Sequence, residues 1–390
     1  MAHNFDQIID RKNTNSIKHD ITQQVFGATD LIPMWVADMD FATPPFIIDA
    51  LKKRLDHQVL GYTIRPDSFN QSIIDWMDQR HGWKIEKEWI KFTPGIVPAI
   101  NMSVIALSKP DDKILIQPPV YHPFFPAVTD HGRGLLFNQL QLNNEGNYEF
   151  DFTDLENKLK DARLFILCNP HNPVGRVWSY DDLKKIGDLC IKHEVIILSD
   201  EIHSDLILPG YKHIPIASIS EEIAQRTITY LAPSKTFNIA GLSTSIVVSK
   251  NADLLGKLQK QIDILHLGMG NIFGGIALEA AYKYGAKWVD ELNSYIAENV
   301  KYVNDFLLNN LPQIKLIKPE ATYLLWLDFR ELGMDEPALS KFLIEKAKLG
   351  FNKGSMFGSG GEGFQRMNVG CPKSIVVRAM DQLYTAISKM

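Results

Sequence analysis

Short apolar runs alternate with amphipathic stretches through the middle of this chain, and this alternation restricts the fold more than any other feature. The runs lie at 113–117, 164–168, 195–199, 227–231 and 245–249. Each is about as long as an ordinary strand, and each contains few polar residues, as in strands covered on both faces. The stretch 180–193 has helical periodicity. The sequence therefore predicts an α/β fold, with helices on both faces of a mostly parallel sheet.

The pattern changes in the last third of the chain. The helical pattern at 273–311 is long, and after Pro312 the predicted helices and strands become shorter. These are a strand-like run at 322–328, a helix near 337–349 and a strand-like run at 365–369. A chain of 390 residues also exceeds what one core usually supports. We predict a large domain at 45–285 and a smaller α+β domain at 1–44 plus 286–390, with the N-terminal segment packing onto the latter.

Charge and cysteine content argue against several classes of protein. The formal net charge is −5 with no basic block, which disfavours a nucleic-acid partner. No apolar run has the length of a membrane span or the form of a signal peptide. Cys168, Cys190 and Cys371 lie far apart without CxxC spacing, so we expect neither a disulfide framework nor a metal site. These features predict a cytoplasmic protein.

Polar side chains follow four of the predicted strands at the point where each strand ends. Tyr121 follows the first, Asn172 the second, Asp200 the third and Lys235 the fourth. Ligands of open α/β sheets bind outside the carboxyl ends of the strands. We therefore expect these four side chains to meet at one ligand site.

The four residue types match the needs of pyridoxal 5′-phosphate (PLP). A lysine such as Lys235 can hold its aldehyde as a Schiff base, and a carboxylate such as Asp200 keeps its pyridine nitrogen protonated. An aromatic ring can stack on the cofactor, and an amide can donate to its phenolate oxygen. A glycine turn at 93–97 runs into the helical stretch 98–107, where backbone N–H groups can hold a phosphate. The set predicts a PLP site.

A glycine-rich segment at 358–363 matches GxGxxG, the pattern of dinucleotide-binding loops. That function requires a helix after the glycines. A strand-like run at 364–369 follows instead, so we predict a flexible loop that leads to Arg366. Cys371 has no nearby histidine in sequence and is predicted to be a packing residue.

Several longer strings carry a family resemblance over nearly the whole chain. They are PMWVADMDF at 33–41, LGYTIRPDSF at 60–69, TPGIV at 93–97, CNPHNPVGRVW at 168–178, SDEIHSDLI at 199–207, HIPIASIS at 213–220, APSKTFNIAGL at 232–242 and RMNVGCP at 366–372. In this order they resemble fold-type I PLP-dependent enzymes, the aspartate aminotransferase superfamily. Within that superfamily the chain is similar to the MalY/PatB group of cystathionine β-lyases, which are carbon–sulfur lyases.

The resemblance implies a role for each matching residue. Lys235 would carry PLP and transfer the proton at Cα, and Asp200 would pair with the pyridine nitrogen. Tyr121 would stack on the ring, and Asn172 would bond its phenolate oxygen. The other implied contacts are the phosphate with Ser234 and the amides near Gly95, Ile96 and Val97, the substrate carboxylate with Arg366 and Asn172, and the partner subunit's phosphate with Tyr62 of a homodimer.

Two positions depart from the wider superfamily. His203 replaces a tyrosine three residues after the aspartate, and Ser243 replaces an arginine eight residues after the lysine. Both departures suit the lyase subgroup. His203 is either a residue near the cofactor ring or a satisfied structural histidine. Without the arginine, the phosphate depends more on backbone donors and on Tyr62.

The expected reaction is a β-elimination that converts cystathionine and related cysteine S-conjugates to pyruvate, ammonia and a thiol. An aminotransferase would share every cofactor contact and is the first alternative, because reaction choice is a property of the site and not of the fold. Its requirement for a 2-oxo acid distinguishes it. A non-catalytic regulatory protein with this fold is the second alternative, and it has no need for Lys235, Asp200 and Arg366 together.

Overall fold

The computed structural model describes residues 3–390. The helices are α1 Ile17–Asp20, α2 Thr22–Phe26, α3 Pro45–Leu55, α4 Asp67–His81, α5 Ile96–Leu107, α6 Phe124–Thr129, α7 Phe152–Leu159, α8 Tyr180–Lys192, α9 Glu221–Ala224, α10 Pro233–Thr236, α11 Ala252–Ile264, α12 Ile272–Tyr284, α13 Ala286–Asn310, α14 Glu336–Glu345 and α15 Lys373–Ile387. The strands are β1 Ile32–Pro33, β2 Ile90–Thr93, β3 Lys113–Ile116, β4 Gly134–Phe137, β5 Gln141–Leu142, β6 Tyr148–Glu149, β7 Ala162–Cys168, β8 Ile196–Asp200, β9 Thr227–Leu231, β10 Ser245–Val248, β11 Lys315–Leu316, β12 Leu324–Asp328, β13 Leu349–Gly350, β14 Asn352–Lys353 and β15 Phe364–Asn368.

Within the described residues, seven strands form the central sheet in the order β2-β10-β9-β8-β7-β3-β4. Strands β9, β8, β7, β3 and β4 run parallel, and β10 is antiparallel to both of its neighbours. The mostly parallel α/β fold predicted from the sequence is therefore confirmed. The edge strands β2 and β4 were not predicted, because each is short and its sequence lacks a long β-rich run.

The buried strands pack helices on both of their faces. In β7, Leu164 and Ile166 join a core with α5 and α11, while Phe165 and Leu167 join a second core with α7 and α8. This division follows from the alternation of side chains along a strand. Each such buried aliphatic side chain contributes about 1.5–3 kcal/mol, so the apolar runs fix the sheet inside the helices.

A smaller antiparallel sheet carries the C-terminal part of the site. Its strand order is β11-β12-β15-β14, and β15 contains Arg366. Strand β1 pairs in parallel with β13, so the N-terminal segment lies against this part of the chain. The domain boundaries at 45 and 285 remain a prediction.

Two glycines lie where neighbouring atoms leave no room for a side chain. Gly285 separates α12 from α13, and a Cβ there would lie 2.3 Å from the carbonyl oxygen of Ala281 and from the Phe237 ring. Gly358 has a φ of 91°, and a Cβ there would lie 2.6 Å from the Phe125 ring. The sequence predicted a flexible loop here. The structure instead packs the glycine-rich loop closely at Gly358. Strand β15 follows it, as expected.

No helix within residues 3–390 combines the length and the apolar character needed to cross a lipid bilayer. All three cysteines are buried free thiols.

Candidate active site

The side chains at the strand ends meet in one cavity of about 210 Å³ at the carboxyl edge of the central sheet. Among the residues that line it are Gly95, Ile96, Val97, Tyr121, Asn172, Asp200, His203, Ser234 and Lys235. The strands deliver these residues because parallel strands end at the same edge of a sheet.

Lys235 lies on α10, the short helix that begins directly after β9. Its Nζ donates a hydrogen bond to the carbonyl oxygen of Ala37 over 2.7 Å. Burial, together with the nearby charge of Arg366, lowers the pKa of Lys235 to about 8, although Asp38 and Asp200 act in the opposite direction. The amine is therefore easier to deprotonate than an ordinary lysine, as a nucleophile or proton acceptor requires.

Asp200 is the last residue of β8 and is paired in register with Cys168 of β7. One carboxylate oxygen accepts a hydrogen bond from the Ile202 N–H at 3.2 Å. Burial raises the pKa of Asp200 to about 7, while the Ile202 N–H and the charge of Lys235 lower it. A buried carboxylate of this kind is stabilised by a cationic partner, and a protonated pyridine nitrogen would supply one.

Arg366 points from β15 to the edge of the cavity and is only 4% exposed. Its guanidinium donates to Asn172 Oδ1 at 3.0 Å, to Asn352 Oδ1 at 2.7 Å and to the Trp35 carbonyl at 3.0 Å. Burial lowers its pKa to about 10. Among residues 3–390 no carboxylate forms an ion pair with it, and its Nε has no hydrogen-bond partner. This buried cation is therefore suited to an external carboxylate.

The other end of the cavity carries free hydrogen-bond donors of the kind that bind an anion. Helix α5 starts at Ile96 without a side-chain cap, so its first N–H groups are free. Gly95 precedes it with a φ of 155°, which residues with side chains rarely adopt. The hydroxyl-bearing residues Ser234, Ser243 and Thr244 line the same region. Free N–H groups and hydroxyls at a helix start are typical phosphate ligands.

Tyr121 and His203 form the remaining walls of the site. Burial, with a smaller effect of Asp200, raises the pKa of Tyr121 to about 12, so the phenol stays neutral. Burial also lowers the pKa of His203 to about 3, and the charges of Lys235 and Arg366 add to this effect. The neutral His203 ring has a buried Nδ1 without a hydrogen-bond partner.

Sequence reasoning missed the N-terminal residues that complete the site. The Ala37 carbonyl accepts from Lys235 and also from the Tyr323 hydroxyl at 3.0 Å. Asn368 donates to the carbonyl oxygens of Val36 and Asp38 at 2.6 and 2.7 Å. The string at 33–41 was noted for its resemblance only. Its contacts use backbone oxygens, which leave no pattern of residue types in a sequence.

Tyr62 is the one predicted site residue that lies away from the cavity of its own chain. Its side chain is 95% exposed. The segment around it is held by Arg65, which donates to the carbonyl oxygens of Gly268 and Met269. Tyr62 thus lies on the surface of its own chain and not in its own site.

These contacts fit PLP. Lys235 is available for the aldehyde, Asp200 for the pyridine nitrogen and the α5 N-terminus for the phosphate. The unpartnered His203 Nδ1 and Arg366 Nε are polar atoms that a bound cofactor and substrate can satisfy. Together the fold and this donor set define the class of fold-type I PLP-dependent enzymes.

Comparison with known proteins identifies the family within that class. The model of the family "aminotransferase class I and II" matches residues 29–383, and the chain belongs to this family. It is 46% identical to cystathionine β-lyase PatB of Bacillus subtilis, over 99% of this chain and all of PatB. The solved structure of cystalysin from Treponema denticola, which contains PLP, superposes with a TM-score of 0.96 at 41% identity, with 100% of each chain covered. A PLP-bound C–S lyase from Staphylococcus hominis gives 0.92 at 34% identity, covering 99% of this chain and 98% of that one.

Proposed function

We propose that this protein is a PLP-dependent C–S β-lyase that cleaves cystathionine and related cysteine S-conjugates to pyruvate, ammonia and a thiol. The observation that carries the proposal is the cavity lined by Lys235, Asp200 and Asn172, at whose edge the buried cation Arg366 donates to Asn172. The likeness to PatB and to the solved C–S lyases supports the choice of substrate class.

Lys235 is the group that moves the proton. When bound, PLP supplies an electron sink for the bond that breaks at Cα. With its pKa lowered to about 8, the Lys235 Nζ can lose a proton and then accept the one that leaves Cα. The Ala37 carbonyl holds this amine by a hydrogen bond at 2.7 Å and fixes its direction.

Arg366 and Asn172 orient the amino acid. The Arg366 guanidinium can bind the α-carboxylate in a bidentate contact. Asn352 and the Trp35 carbonyl accept hydrogen bonds from the guanidinium and hold it in place. Asn172 is itself bonded to Arg366, so its amide links the substrate and cofactor ends of the cavity. Asp200 would hold the protonated pyridine nitrogen of PLP, and the Tyr121 ring, whose raised pKa keeps its phenol neutral, would pack against the cofactor.

An aminotransferase is the second candidate, because the matching family model carries that description. It would use the same residues, and it would need a 2-oxo acid to accept the amino group that the first amino acid gives up. His203 and Ser243, which replace residues of the wider superfamily, support the lyase.

We further propose a cytoplasmic homodimer in which Tyr62 reaches the phosphate of the partner subunit. Tyr62 is accompanied by the exposed apolar side chains of Val59, Leu60 and Ile64. An exposed apolar patch of this kind is typical of a protein–protein interface. Because Ser243 stands in place of a phosphate-binding arginine, a donor from the partner has an evident use.

One experiment tests the activity. The PLP-loaded protein is incubated with L-cystathionine and no 2-oxo acid, and the products are identified. We expect pyruvate, ammonia and homocysteine. Cysteine and 2-oxobutyrate would instead mean γ-elimination, and dependence on an added 2-oxo acid would mean transamination. No turnover at full PLP occupancy would favour the non-catalytic alternative.

A further inference from the structure

A second carboxylate, Asp205, is buried close to the active site without lining its cavity. It follows β8 by a few residues and is only 5% exposed. Asp205 Oδ1 accepts hydrogen bonds from Trp76 Nε1 and from the His81 ring, each at 3.0 Å. Asp205 Oδ2 accepts from the Thr236 hydroxyl at 3.1 Å. Three donors from two separate segments therefore converge on one buried anion.

The link to Thr236 matters because this residue directly follows Lys235. Both lie on α10, which has only four residues. A helix this short has no stability of its own, and tertiary contacts must hold it. Just beyond it, Asn238 exchanges hydrogen bonds with Met39 and donates to Phe41. On its other side, the Thr236–Asp205 bond is the polar tether.

Asp205 is in turn fixed by a long helix. Trp76 and His81 both belong to α4, and the Trp76 ring stacks on Tyr282 with centroids 5.0 Å apart. Burial alone would raise the pKa of Asp205, but the hydrogen bond and charge of His81, the charge of Arg80 and the hydrogen bond from Thr236 together lower it. The carboxylate thus stays ionised, and a hydrogen bond to an ionised acceptor is stronger than a neutral one.

We propose that Asp205 is a positioning residue that acts through Thr236 to hold Lys235 where it can reach the cofactor. The inference rests on the proposed PLP function. Asp205 links α4 to α10, because it accepts from Trp76 and His81 of α4 and from Thr236, the residue next to Lys235. Without the bond, the polar contacts that remain at α10 are those of Asn238 and the hydrogen bond from the Lys235 amine to Ala37, so the amine samples a wider range of positions.

The test uses isosteric variants and the uptake of PLP by the apoprotein. Thr236→Val keeps the shape of the side chain and removes its donor. Thr236→Ser keeps the donor. The matched control is Thr229→Val, because Thr229 is equally buried on β9 and its hydroxyl has no partner. The readouts are the rate at which the visible band of lysine-bound PLP appears, the pH midpoint of that band and the melting temperature.

A hydrogen bond to a charged group corresponds to roughly a tenfold or larger change in an equilibrium. We expect T236V to take up PLP about tenfold more slowly and to shift the pH midpoint, with T236S recovering the rate to within about threefold. D205N should fall between them, since it keeps an acceptor and loses the charge. T229V should match the wild type even if its melting temperature changes.

The outcomes separate the two proposals. Equal uptake rates and midpoints for T236V and the wild type would overturn the positioning role, whatever the melting temperatures are. Absence of a visible band in the wild type itself would instead overturn the proposed PLP function. If T236V and T229V slow uptake equally, the effect is one of general stability and the inference also fails.

Discussion

At the scale of single residues, the lowered pKa of Lys235 leads to a pH dependence. Only the neutral amine attacks the PLP aldehyde, and the neutral fraction increases as the pH rises through about 8. We expect the rate of PLP uptake by the apoprotein to increase from about pH 7 to about pH 9 and then to level off. The measurement is the initial rate of appearance of the visible band at each pH.

Two variants complete this experiment. Lys235→Ala should give no band at any pH and no turnover, because one side chain supplies both the cofactor link and the base. Lys301→Ala removes an exposed lysine on α13 and should keep the wild-type profile. A band retained in K235A would refute the assignment of Lys235, and a flat profile would refute its lowered pKa.

Arg366 is predicted to act on the substrate and not on PLP. A hydrogen bond to a charged group contributes ~1.5–3 kcal/mol, which corresponds to roughly 10- to 100-fold in affinity. We expect Arg366→Ala to raise KM for cystathionine by about this factor with unchanged PLP binding. Arg330→Ala, which removes a half-exposed partner of Asp328, is the control. Loss of PLP with unchanged amino-acid affinity would show that Arg366 has been misplaced.

Which single residues a sequence can reveal depends on how they reach the site. Tyr121, Asn172, Asp200 and Lys235 could be proposed because each follows a strand, and strand ends share one edge. The Ala37 acceptor for Lys235 and the Trp35 and Asn352 acceptors for Arg366 could not. Ala37 approaches Lys235 from 198 positions away in the chain and contributes only its backbone, so no local pattern announces the contact.

At the scale of elements, the start of α5 is predicted to determine phosphate affinity. Gly95→Ala forces an alanine into a φ of 155°, where strain costs about 1–3 kcal/mol. We expect PLP affinity to fall roughly tenfold as the turn shifts its N–H groups. The measurement is PLP binding to the apoprotein, followed by the quenching of intrinsic fluorescence.

Gly256→Ala is the matched control, since Gly256 lies inside α11 and a Cβ there meets nothing within 4 Å. That change should stabilise the protein by ~0.5–1 kcal/mol and leave PLP affinity unchanged. Equal PLP affinity for G95A and the wild type would argue against a phosphate at α5.

The elements that the sequence predicts best are the ones with the strongest local signal. The strand Thr227–Leu231 has the predicted bounds, and the others differ by a few residues at their ends. The sequence predicts strand β10 but not its antiparallel direction, because an apolar run gives no information on the direction of the strand in the sheet. The segment predicted as one helical stretch at 273–311 is divided at Gly285. The sequence does not show this division, because the close contact of Gly285 with Phe237 involves residues far apart in the chain.

At the scale of the whole molecule, the position of Tyr62 can be used to test the proposed dimer. Its exposed ring lies outside its own cavity, and a two-fold interface is self-complementary. If one Tyr62 crosses to the partner, both do. A sequence cannot reveal this by itself, because a surface residue and an interface residue look alike until a second copy is present.

Mixing two inactive variants decides where Tyr62 acts. Lys235→Ala and a strongly impaired Tyr62→Phe are refolded together at equal concentration. In a hybrid dimer with crossing tyrosines, one site carries both defects and the other carries neither. Random pairing makes about half of the dimers hybrid, so roughly a quarter of all sites are intact. We expect activity well above the mean of the two separate variants.

If Tyr62 serves its own subunit, no hybrid site is intact and mixing recovers nothing. Tyr62→Phe refolded alone in the same way should keep its impaired activity, which excludes a gain from refolding alone.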